Sequence, residues 1–278
     1  MSRRITQRIW QVALAIALLS VWHVASRNPQ VAFFFGEPLM VAQRLWAWFT
    51  LGPATLEVGT KDNTWFLLQF PAEIYPHLLF TLTETVLAFV IGTLLGLIMG
   101  LWLALSPAAA GILDPYIKAA NSMPRVILAP VFGMWFGLGI WSKVALAVTL
   151  VVFVVFFNVY QGVREVSSVL LNNARMLGAS QRDLLKHVYL PSATSWVFSS
   201  LHTSVGLAFV GAVVGEYLGS AHGVGYLILQ AEGTFDVNTV FAGIVVLTVF
   251  ALVLDALVGR IERRLLKWQP PSHAGETK

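Results

Sequence analysis

Long stretches without a formal charge restrict what this chain can become more than any motif does. Thr85–Leu113 runs 29 residues without Asp, Glu, Lys or Arg, Val188–Gly215 runs 28 and Val144–Val163 runs 20. Ile9–Ser26 and Val237–Leu254 add 18 each. A helix needs about 20 apolar residues to cross the hydrocarbon core of a bilayer, so the longer runs hold a span with its interfacial flanks. Charged residues make up 12% of the chain, about half the share in a soluble domain. That composition excludes disorder, collagen and a disulfide scaffold, and argues against a soluble enzyme. Cysteine is absent, which removes disulfides, thiolate chemistry and Cys-ligated metals. The fold class expected is all-α integral membrane.

A sixth stretch, Ile112–Ile140, contains Lys118, Arg125, Pro124, Pro130 and three glycines. It reads as a bent or interrupted span, tolerable where it packs inside protein. About six transmembrane helices result. Their direction follows from the basic residues. Arg3, Arg4 and Arg8 precede the first span. Arg164, Arg175, Arg182 and Lys186 follow the fourth; Arg260, Arg263, Arg264, Lys267 and Lys278 follow the sixth. These clusters share the cytoplasmic side when four spans and then two separate them. The outer side receives Arg27, Arg44, Lys61 and Lys143. Both termini are therefore expected to be cytoplasmic.

A single transmembrane domain covers 1–278, with a cytoplasmic N-terminus at 1–8 and a tail at 260–278. The first span resembles a signal peptide, but Trp22 and His23 stand where a cleavage site wants small residues, so it is expected to be retained. The outer segment 27–77 carries amphipathic pieces. Leu39, Ala42, Leu45, Trp46 and Phe49 recur at helical spacing until Gly52-Pro53, and Trp65–Phe70 and Ile74–Leu79 lead into the second span. With three tryptophans, the segment reads as lying along the outer interface.

The cytoplasmic loop 164–191 is unusual for a short connection. Val166, Val169, Leu170, Ala174 and Leu177 fall on one helical face, and Gly178 is a natural terminator because it takes a left-handed backbone freely. Ser180 and Asp183 have capping-box spacing, which starts a second helix presenting Leu184, Leu185 and Val188. Pro191 is expected to stop it. Two short helices at a sharp angle result, with apolar residues, Met176 among them, that find no obvious partner in the chain.

The pattern Ala174-x-x-x-Gly178, nine residues, then Val188-x-Leu190-Pro191 resembles the EAA loop of permease subunits of bacterial ABC importers, although Asn172 and Asn173 replace the usual Glu-Ala. Ser122–Val126, Ala129-Pro130, Trp135–Gly139 and Ser142–Val144 are similar to the nitrate/sulfonate/taurine-type subfamily, as are Glu216–Gly219 and Gly223–Leu227. Thr55–Gln69 stands apart as an insertion-like stretch. The resemblance implies a type I ABC importer permease fold in the bacterial inner membrane, with a helix–Gly–helix coupling loop docking on cytoplasmic ABC ATPase subunits. It implies a periplasmic or lipid-anchored solute-binding protein and a second permease copy. The cargo it implies is a small organic or inorganic anion (sulfonate, taurine, nitrate, aromatic carboxylate), or alternatively a pyrimidine vitamin precursor. The coupling residues it points to are Ala174, Met176, Leu177, Gly178, Ala179, Ser180, Asp183, Leu184, Leu185, Leu190 and Pro191.

No phosphate-binding loop of the Gly-x4-Gly-Lys-Ser/Thr type occurs, so the chain is not expected to be an enzyme, and no cofactor is implied. The six His show no metal-binding spacing. Ionisable residues inside spans are costly and each is a functional candidate. These are Glu84, Arg125, His202, Glu216 and Asp255; Asn121, Ser122, Arg125 and Glu216 are the candidates for lining a pathway. For Arg125 the alternative is a salt bridge to Glu84 or Glu216. Glu216 is expected to order the Gly-rich turn after it, Asp255 to pair with Arg260, and His202 to be hydrogen-bonded packing. Gly92, Gly96 and Gly100, and Gly211 with Gly215, form small-residue faces for close helix contact, within the subunit or across a dimer. Arg263-Arg264-x-x-Lys267-Trp268 reads as an anchor on anionic lipid rather than a nucleic-acid patch. A stand-alone secondary transporter would want ion-coupling acids and an internal repeat, neither of which is evident.

Overall fold

The structure, a computed structural model, describes residues 2–60 and 63–265. Lys61, Lys267, Trp268 and Lys278 lie outside the described residues, as does the tail from 266 on. The elements in chain order are α1 Ser2–Ala25, α2 Pro29–Phe35, α3 Pro38–Thr50, β1 Ala54–Thr60, β2 Asn63–Phe70, α4 Ile74–Leu105, α5 Pro107–Ser122 and α6 Ala129–Phe136. They continue with α7 Ile140–Arg164, α8 Ser168–Met176, α9 Gln181–Leu184, α10 Leu190–Leu218, α11 Val224–Gly233 and α12 Val237–Leu265. The apolar stretches appear as helices. Within α1, α4, α7 and α12, segments long and apolar enough to cross a membrane occur at Ile5–Ala25, Ile74–Leu105, Ile140–Arg164 and Val237–Ile261. The fifth, α10, is one continuous helix of 29 residues.

The third stretch is broken, and proline explains where. Pro124 disfavours helical geometry in the residue before it, and Met123 accordingly turns to ψ 132° and ends α5. A single 3₁₀ turn, Arg125–Leu128, leads into α6, which Gly137 terminates at φ +71°. No helix here approaches 20 residues.

Two compact units divide the chain. One comprises Met1–Phe80 and Ser220–Val249, with a core of Val41, Trp48, Ile74, Val224, Leu227, Ala242 and Val246. In α3 the buried face is Val41 and Trp48, whereas Leu39, Trp46 and Phe49 of the expected stripe are exposed and only Leu45 packs inward. The segment after α3 is also not helical. β1 and β2 form an antiparallel hairpin pairing Ala54 with Phe70 through Thr60 with Asn63, with a register shift at Val58/Gly59. Alternating and β-branched residues (Thr55, Val58, Thr60, Thr64) suit a pleated ribbon better than a helix.

The other unit, Thr81–Gly219 and Phe250–Lys278, is built around α7. Its core is Val144, Ala147, Val151, Val155, Val159 and Val163 of α7, with Ala88 of α4 and Ala208 of α10. The glycine faces pack here, within the subunit. A Cβ on Gly92 would lie 2.7 Å from Val151, one on Gly96 2.7 Å from the Val152 carbonyl oxygen, and one on Gly100 2.8 Å from Val159. On α10, a Cβ on Gly211 would lie 2.6 Å from the Ala147 Cα. A side chain at Gly96 meets backbone that cannot yield. Gly96→Val is expected to cost about 1–3 kcal/mol of stability in detergent. Gly111→Val, which would meet nothing within 4 Å, should leave the unfolding midpoint nearly unchanged.

Candidate functional site

The loop between α7 and α10 folds as two helical pieces joined at Gly178. α8 ends in a Schellman motif: the Gly178 N–H donates to Arg175 O at 2.9 Å and the Ala179 N–H reaches back to Ala174 O at 3.0 Å. This closure places Gly178 at φ +85°, where a side chain would be strained. It also gives Ala174 a role, since its carbonyl is the acceptor and its small side chain is half-buried.

The next residue opens α9. Ser180 Oγ accepts from the Asp183 N–H at 3.3 Å, and Asp183 Oδ2 accepts from the Ser180 N–H at 3.0 Å and from its hydroxyl at 2.6 Å. This is the expected capping box, reciprocal in both directions. The chain therefore turns over Leu177–Ser180 with the carbonyls of Ala174 and Arg175 at the end of α8 and the Asp183 N–H at the start of α9 all hydrogen-bonded.

Pro191 does not stop the second helix. The chain stays helical from Gln181 to Leu218, through a π turn at Leu185–Tyr189. Proline offers no N–H and its ring crowds the carbonyl four residues back. The helix widens just before it, and the Leu190 N–H bonds to Leu185 O, five residues back.

The apolar residues divide. Leu184 is 1% exposed and Leu185, Val188 and Leu190 are half-buried, so the second helix has its partners within the chain, against expectation. The first piece stays open: Val169 and Leu170 are exposed, Met176 is 86% exposed and Leu177 89%. Burying a Leu or Met side chain is worth about 1.5–3 kcal/mol. Two adjacent exposed ones at this corner have that much to gain from a groove that covered them.

The pathway candidates do not converge. Asn121, Ser122 and Arg125 form a local group at the end of α5. The Arg125 guanidinium donates to Asn121 O at 3.0 Å and Oδ1 at 2.5 Å and lies 4.6 Å from the Phe153 ring centre, while Ser122 Oγ donates to Lys118 O. Glu216 belongs to a different, fully buried group with Glu84, Thr81 and Lys143; Thr81 Oγ1 donates to Glu216 Oε1 at 2.6 Å. Lys143, expected on the outer side, is 1% exposed. The signal for it was available: a lone cation just ahead of the uncharged run Val144–Val163. Asp255 pairs with His202, whose Nδ1 lies 3.1 Å from Asp255 Oδ1, rather than with Arg260. Among the described residues no three His, Asp or Glu side chains gather to hold a metal ion.

The Ser180 hydroxyl, and then the Ser180 N–H, hold the exposed Asp183 carboxyl below the usual carboxylate range. A lowered folded pKa gives stability that is present above the unfolded pKa, about 3.9, and lost as pH falls through the folded one. Amide-exchange protection at Ser180 and Asp183 should persist from neutral pH down to that ordinary value and vanish only below it.

Residues 92–267 match the family described as the binding-protein-dependent transport system inner membrane component. The putative aliphatic sulfonates transport permease protein of Bacillus subtilis (strain 168) is 34% identical over 217 residues, covering 78% of this chain and 77% of that protein. The taurine transport system permease protein of Escherichia coli (strain K12) is 30% identical over 268 residues, 96% of this chain and 91% of its own length. Among solved structures, the MetNI methionine ABC transporter in inward-facing form shares the fold. Its TM-score is 0.60 at 17% identity, over 68% of this chain and 94% of that one.

Proposed function

The chain belongs to the inner membrane components of binding-protein-dependent transport systems, and from that membership we propose an assembly, a direction and a cargo. Two copies form the translocation pathway, and cytoplasmic ATPase subunits dock on residues 164–191. A solute-binding protein delivers cargo from outside. The whole chain acts as one transmembrane permease domain with both termini cytoplasmic, its tail resting on lipid. The cargo is a small organic anion of the sulfonate or taurine class, a reading supported by the names of the two similar permeases.

The observation that carries the docking reading is the exposed Met176-Leu177 pair beside the Gly178 corner. An ATPase groove that closes over those side chains on binding ATP would pull on the corner. The pull passes up α7 and α10 and switches the pathway between inward- and outward-facing. ATP is the partner's ligand, since this sequence has no phosphate-binding loop.

Co-purification of the chain with its ATPase, and ATP-driven uptake of taurine and alkanesulfonates by proteoliposomes, test this reading. Leu177→Asp should weaken co-purification by about tenfold or more, the loss of one buried leucine plus a desolvated charge. Gly178→Val, which strains a left-handed residue by about 1–2 kcal/mol, should uncouple ATP hydrolysis from uptake. Solute movement without any ATPase, or undiminished co-purification of Leu177→Asp, would sink the proposal.

A further inference from the structure

Glu84 of α4, Lys143 of α7 and Glu216 of α10 are 2%, 1% and 0% exposed. Buried ionisable groups are costly unless paired and hydrogen-bonded, so three of them from three helices need a reason. The carboxyl groups of Glu84 and Glu216 are close enough to hydrogen-bond, and Lys143 interacts electrostatically with both. Thr81 adds a donor to Glu216, while Glu84 Oε2 finds no hydrogen-bond partner. The Lys143 ammonium is spent elsewhere: it donates to Leu138 O and, at 3.0 Å, to Gly139 O. Those two carbonyls belong to the turn between α6 and α7, where Gly137 takes φ +71°. The same turn walls a cavity of about 290 Å³ lined by Gly133, Met134, Leu138, Ser142, Gly215 and Leu218. Gly215 keeps its place on that wall by lacking a side chain, since a Cβ there would lie 2.9 Å from Lys143 Cγ.

We propose that Lys143, buried with Glu84 and Glu216, is a positioning residue for transport that ties the 137–139 turn, and with it one wall of the cavity, to the packed body of α4, α7 and α10. The ammonium holds two backbone carbonyls of an otherwise apolar turn. None of the three touches cargo. This role rests on reading the chain as an ATP-driven permease. It predicts that the turn moves with the three helices as one body while the complex cycles.

The test uses the assembled complex of permease, ATPase and binding protein. Lys143→Met, which leaves two acids buried without their cation, should lower the unfolding temperature and the yield of complex. The triple variant Glu84→Gln, Lys143→Met, Glu216→Gln strands no charge and should recover both. It should nonetheless take up solute with kcat about tenfold lower and KM within about twofold, because the turn has lost its tether. Wild-type kcat in the triple variant would overturn the proposal, as would Lys143→Met indistinguishable from wild type. Should the triple variant not assemble, a second measurement decides. The chain has no cysteine, so one copy carrying Leu138→Cys and Leu94→Cys, assembled with an unlabelled copy and cysteine-free partner subunits, reports a single spin-label distance. That distance should be the same at rest and with ATP trapped by vanadate, and a shifted or broadened distribution would overturn the tether. Wild-type complex that moves no solute with ATP would count against the permease reading, and the spin-label distance would still judge the tether.

Discussion

A helix already dissolved in lipid gains little from the hydrophobic effect when it leaves acyl chains for protein. What holds such helices together is close approach, with many weak dispersion contacts and a few polar ties. The unit around α7 is built on that constraint. Gly92, Gly96 and Gly100 let α4 sink onto the valine ridge of α7, and Gly211 and Gly215 do the same for α10 on the same helix. Backbone meets side chain at distances that even a methyl group would violate. Everything attached to α7 is thereby placed: the loop at Arg164 at one end, and the buried lysine, with the cavity beside it, at the other.

The two ends make different demands, and the sequence meets them with different chemistry. At the 164–191 end the task is to present a fixed shape to another molecule. Backbone devices do this cheaply, with a left-handed glycine between a Schellman closure and a capping box. The adjacent Met176 and Leu177 are then left with nothing of their own to cover them. At the Lys143 end the task is to hold the exposed 137–139 turn. An ammonium on a long stem supplies the donors, and two buried acids on neighbouring helices interact electrostatically with it.

Much of this was legible in the residues. The uncharged runs marked the helices because membrane crossing imposes length and composition directly. Gly178 and the Ser180–Asp183 pair marked the corner because caps are local and obey short-range rules. The misreadings have a common cause, which is that they depend on what lies across space. Pro191 reads as a stop, yet tertiary packing carries the helix through it by widening one turn. Leu184 looks unpartnered along the sequence and is covered in the fold. Lys143 counts along the sequence only for its side of the membrane, and its burial and its interaction with Glu84 and Glu216, about 60 and 70 positions away, show only in the fold. The β1–β2 hairpin was missed because aromatic and β-branched residues near a membrane surface fit helix and strand patterns alike.

The widened turn at Leu185–Tyr189 has a mechanical consequence. A loop between the capped corner and α10 would act as slack, and a tug on the corner would straighten it before anything else moved. Here unbroken screw thread runs from Gln181 to Leu218, about 57 Å at 1.5 Å per residue. Torque applied at one end is carried by that thread rather than taken up as slack. The one oversize winding is the softest place on that shaft, so twist concentrates there.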